Sequence, residues 1–147
     1  MCTPTFKLSG AVVSHPLERL VSAWAFFCDA ETDLEIRGQT SLHEIGYRYK
    51  MPFDDFLDIA LVRHAENHHT QMQVDFAGPH EPNLVALSNL GKAWEMLRLA
   101  FPYLRPLKHT PGSGHSNWQD YYSHTQRDRA MQVFAPDVRR CDKAVSP

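Results

Sequence analysis

Apolar residues fall into a few short, patterned blocks separated by polar stretches. The first block, Lys7 to Ser14, reads KLSGAVVS and predicts a short buried strand. His15-Pro16 follows, and proline suits the first turn of a helix because the N–H it lacks would be unpaired there. Leu17, Leu20, Val21, Trp24, Phe27 and Cys28 then recur at helical spacing on one face, with Glu18, Arg19 and Ser22 on the opposite side. Residues 29–50 are polar and mixed, contain Gly38 and Gly46, and read as a long excursion. Met51-Pro52 opens a second amphipathic helix with Phe53, Phe56, Leu57, Ala60 and Leu61 as its buried stripe and an end near Asn67. His68 to Pro82, carrying Gly78, Pro79 and Pro82, reads as a loop, and Asn83 to Leu87 as a short strand. Ser88 or Asn89 caps a third helix in which Leu90, Trp94, Leu97 and Phe101 share a face, with Pro102 and Pro106 as stops. His109 to Asn117 has the composition of a flexible loop. A last helix starts near Ser123, which stands at capping-box spacing from Gln126, and Pro136 should kink or end it.

Composition narrows the class. A chain of 147 residues is long enough for one domain with a real core, and no linker divides residues 1–147. Apolar content of 43% and charged content of 22% are those of a soluble globular protein. A net charge of −2 gives no basic field for nucleic acid. No apolar run is long enough to cross a bilayer and no secretory signal opens the chain, so neither a membrane nor export is expected. Cys2, Cys28 and Cys141 are scattered without CxxC spacing, which points to a reducing, cytoplasmic setting rather than a disulfide framework.

In order along the chain, VVSHPLERLVSAW, PFDDFLDIAL, HHTQMQVDFAG, NLVALSNLGKAWEML and WQDYYSHTQRDRAMQVFAPDVRRCD resemble successive segments of carbohydrate sulfotransferases. These enzymes use 3′-phosphoadenosine 5′-phosphosulfate (PAPS). The resemblance spans roughly residues 11 to 142 and rests on the ordered set rather than on one motif. It implies an α/β chain with an incomplete P-loop-like sulfotransferase fold, mostly helical with a small parallel sheet. The implied activity is sulfuryl transfer from PAPS to a hydroxyl, on a carbohydrate. In the family a strand ends in an Arg-acidic-Pro turn, and that arginine and a serine two turns into the helix clamp the donor's 3′-phosphate. Ser22 matches the serine, while Ser14 stands at the arginine's position.

The physical logic of such a site is general. A strand-to-helix turn aims unpaired N–H groups and the positive helix end at an anion. Ser14 offers one neutral hydrogen bond where an arginine offers a charge-assisted pair, about 1 kcal/mol against about 1.5–3. Arg19 lies on the face of Ser22 and has two readings: it swings to the phosphate, or it is solvated and paired with Glu18 or a neighbour, which is the commoner state of such arginines. The resemblance thus nominates Ser22, Ser14 and Arg19 as donor-binding residues and assigns no catalytic base. The family's loop for the 5′-phosphosulfate has no counterpart in MCTPTFKLSG. Ser88 replaces a glutamate, and Pro136 and Cys141-Asp142 replace an uninterrupted helix with an aromatic close. PAPS or its desulfated product PAP, with a carbohydrate acceptor, are the implied partners.

Rival readings follow from the same residues. A non-catalytic binding module that keeps the scaffold would leave an apolar patch where other elements pack and would favour a homo-oligomer. A histidine-rich metal site is the third: His64 and His68 at i, i+4 would share a face of a continuing helix, but HExxH is not present and His80, His109 or His115 would serve as third ligand only if the fold delivers them, so solvated histidines at a polar helix end are the favoured state and no metal is assigned. Cys28 on the apolar stripe reads as a core thiol. Trp118, Tyr121 and Tyr122 pack the last helix in preference to stacking on an adenine. Lys108 and His109 read as a solvated edge, and Gly112 and Gly114 as turn formers.

Overall fold

A computed structural model describes residues 10–29, 40–77, 83–108 and 117–145. The glycine pair Gly112 and Gly114, and His80, His109 and His115, lie outside them, as do Lys7 to Ser9 and Gly38. The first strand, β1 (Gly10–Val13), runs into α1 (Pro16–Trp24). His15 caps this helix: its ring Nδ1 accepts the Leu17 N–H at 3.3 Å, and Pro16 takes the first helical position. The helix widens into a π-turn at Ala25–Asp29. All of its apolar stripe is buried except Trp24, which is half-buried and donates its indole N–H to the Met51 carbonyl at 2.8 Å.

The polar excursion contains one feature its composition hid. Helix α2 (Thr40–Ile45) ends where Gly46 sits at φ +110, with the Tyr47 N–H reaching the Leu42 carbonyl and the Gly46 N–H the His43 carbonyl. That is a Schellman ending, and its usual apolar pair, here Leu42 and Tyr47, is fully buried. Helix α3 (Phe53–Arg63) buries the expected five residues. It then tightens into a 3₁₀ turn at His64–Glu66 and ends at Asn67, which is extended. The segment read as a loop contains a short helix, α4 (Gln73–Ala77).

Strand β2 (Asn83–Ala86) pairs with β1 in parallel, with Val13 opposite Ala86. A 3₁₀ turn (Leu87–Asn89) leads into α5 (Leu90–Ala100), none of whose residues is buried. The Ser123–Gln126 capping box forms in both directions and starts α6 (His124–Val133). The chain turns at Phe134, just before Pro136, and continues as α7 (Ala135–Val145). The chain is therefore mostly helical α/β with a two-stranded parallel sheet among the described residues. One buried cluster joins α1, α2, α3, Tyr47 and α6. No helix of the described residues is long and apolar enough to cross a membrane.

Candidate functional site

Both strands end at the same place. Because β1 and β2 are parallel and in register at Val13 and Ala86, the turns that follow them open side by side. Between them lies a cavity of about 400 Å³ lined by Val13, Ser14, His15, Glu18, Ala86, Leu87, Ser88, Cys141 and Asp142. A crevice beyond the carboxyl ends of parallel strands, at a helix N-terminus, is where α/β sheets place ligands.

Ser14 is held in a fixed orientation. Its hydroxyl accepts from the Gln73 side-chain amide at 3.0 Å, and its N–H donates to the Gln73 side-chain Oε1 at 3.3 Å. The hydroxyl proton is left to be donated elsewhere, and Ser14 lines the cavity. Gln73 is placed in turn by Asp137. That carboxylate, buried in α7, accepts the N–H groups of Gln73 and Val74 at 2.7 and 2.9 Å, so it caps α4 from a distance.

Arg19 belongs to this network and not to the cavity. Its guanidinium donates to Asp137 at 2.9 Å, with 15% of the Arg19 side chain and 1% of the Asp137 side chain exposed. It is therefore neither solvated nor paired with Glu18, and a swing towards the strand-end cavity would strand a buried carboxylate. Burial lowers the Arg19 pKa and the Asp137 charge opposes that. Ser22 is half-buried, one turn beyond Glu18 on the same face of α1, and does not line the cavity.

Sequence reasoning missed His15, Glu18, Ser88, Cys141 and Asp142 as lining residues. A signal existed for one of them: Ser88 stands two positions after β2 and Ser14 one position after β1, which marks two strand-to-helix turns side by side. His15 stacks on Trp118 with ring centroids 4.8 Å apart. Burial lowers its pKa, so near neutral pH it carries no charge and Nδ1 stays free to cap the helix. Burial raises the Cys141 pKa, and Asp142, Glu18 and Asp137 push it the same way, so this thiol is not an activated nucleophile. Glu18 and Asp142 bring negative charge, and among the described residues no lysine or arginine lines the cavity. An anion there must be held by amide and hydroxyl donors.

The remaining candidates are structural. The Tyr122 hydroxyl donates to the Leu17 carbonyl at 2.8 Å, and Tyr121 packs on Trp24 and Phe53. Cys28 is fully buried. His64 and His68 do not share a helical face, because α3 ends at Arg63; the His64 ring packs on Phe134, and the adjacent His68 and His69 rings lie 4.0 Å apart. No group of three metal-ligating side chains occurs among the described residues. No protein-family model, curated protein or solved structure matches this chain.

Proposed function

We propose that the chain is a sulfotransferase-like protein with a P-loop-like fold, and that its strand-end cavity takes the 3′-phosphate of PAPS or PAP. The observation that carries the reading is the convergence of two parallel strand ends on a cavity that opens at the capped start of α1. The ordered sequence resemblance supplies the ligand. Ser14 and Ser88 donate hydroxyl protons and the first turn of α1 contributes its helix dipole. Ser22, which the resemblance nominates for the 3′-phosphate, lies one turn beyond Glu18 and outside the cavity lining, so the reading rests on Ser14 and Ser88. Sulfuryl transfer to a carbohydrate hydroxyl is the activity this donor supports. With no lysine or arginine among the described residues that line the cavity, a module that binds the nucleotide without turning it over is the second reading.

Calorimetry separates the possibilities. PAP should bind and 5′-AMP, which has no 3′-phosphate, should not. Ser14→Arg should tighten PAP by about tenfold or more, since it adds a charge-assisted pair. Equal binding of PAP and 5′-AMP, or no binding of either, overturns the reading. Incubation with PAPS and a carbohydrate acceptor then tells an enzyme from a binding module.

A further inference from the structure

A second cavity, of about 240 Å³, lies against β1 and is lined by Ala11, Val12, Val13, Gln73, Phe76 and Arg140. No residue of β2 lines it, so it sits on the side of β1 away from the paired strand. Among the described residues β1 pairs with β2 alone, and an unpaired edge presents backbone N–H and C=O groups.

Arg140 is the unusual member of this cavity. Of the described arginines, Arg48, Arg105, Arg127, Arg129 and Arg139 are exposed, where water supplies acceptors. The half-buried ones are Arg19, Arg63, Arg98 and Arg140, and the first three hold Asp137, Glu66 and Glu95. Among the described residues Arg140 holds no carboxylate, and its Nη1 is buried without an acceptor. A charged donor kept from water with no partner is costly, and an oxyanion is the group that best satisfies a guanidinium fork. Beside it stand two apolar side chains that the fold leaves open: Val12 is 49% and Phe76 59% exposed.

We propose that this cavity binds a small organic anion: a carboxylate, sulfate or phosphate group on the Arg140 guanidinium, with an apolar body against Val12 and Phe76. The site shares only Val13 with the strand-end cavity and does not depend on the nucleotide reading.

The test is a titration of the full chain by amide-resolved NMR with benzoate, phenyl sulfate and phenyl phosphate, and with benzyl alcohol as the uncharged control. At least one anion should give saturable shifts at Ala11, Val12 and Val13, and the tightest of the three identifies the preferred group. Benzyl alcohol should bind at least about tenfold more weakly, and Arg140→Gln should weaken the anion by about 10- to 100-fold. Phe76→Ala, at an exposed ring, should weaken it severalfold without disturbing the fold. PAP binding should be unchanged in both variants. No saturable shift with any of the three anions, or Arg140→Gln affinity within about twofold of the parent, overturns the proposal.

Discussion

Helices α3 and α5 are each 11 residues long, each with an apolar stripe at helical spacing, and the protein treats them differently. The α3 stripe is buried throughout: Phe56 and Ala60 are fully enclosed, with Phe53, Leu57 and Leu61 nearly so. The α5 stripe of Leu90, Trp94, Leu97 and Phe101 is at most half-buried, and Met96 and Leu99 beside it are 72% and 86% exposed. The side-chain ties of α5 are local: Trp94 donates to the Arg105 carbonyl and Arg98 to that of Leu104, 11 and 6 residues away. In the core around α3, Tyr122 reaches Leu17 and Arg19 reaches Asp137 across 105 and 118 residues. Periodicity states which side chains share a face. It does not state whether anything lies opposite.

The difference is open to direct attack. Phe56→Ala should cost about 3–5 kcal/mol in urea unfolding, because a ring packed on Tyr47 and Phe53 leaves a cavity. Leu99→Ala should stay within about 0.5 kcal/mol. A comparable loss at Leu99 would mean that α5 has a partner surface in solution.

The polar tie is next. Asp137→Ala should cost about 3 kcal/mol or more, since it leaves the Arg19 charge and two α4 amides without an acceptor. A double-mutant cycle with Arg19→Met should show coupling above about 0.5 kcal/mol, as contacting pairs do. Additive losses would show that the pair does not act as a unit.

The smallest effect is on pH. Burial lowers the His15 pKa, and likewise that of His69, with the His68 charge adding to it. At His15 the carboxylates of Asp142 and Glu18 oppose the shift and Arg127 reinforces it. The unfolded chain then takes up protons more readily than the folded one. Stability is fully present above the ordinary histidine pKa of about 6.5 and falls as pH drops from there to the lowered folded values. The melting temperature should therefore decline from pH 7.5 to 5.5. It should decline less in His15→Asn, which keeps a capping acceptor but does not titrate. The same decline in both variants would remove His15 from this account.

Local chemistry was legible in the sequence. The Pro16 start, the Ser123–Gln126 box, the break before Pro136 and the α1 and α3 stripes all follow from interactions within one or two turns, which depend on spacing alone. So does the β1-to-α1 turn at Ser14 and His15. The Schellman end at Gly46 was readable in principle from Leu42, Gly46 and Tyr47, but a polar background masked it. The strand-end cavity was half legible: its first turn stood out, whereas Cys141 and Asp142 arrive from more than 120 positions away on α7. Likewise nothing near Arg19 announces Asp137, and nothing near Arg140 announces that no acid of the described residues pairs with it.

Residue spacing by itself settled where α1, α3 and α6 begin and which of their faces are apolar, because those outcomes are governed by neighbours along the backbone. Which apolar face is covered, which arginine is paired and which residues share a cavity depended on contacts between distant segments. Asp137 on α7 is such a contact point, joined both to Arg19 on α1 and to the first amides of α4.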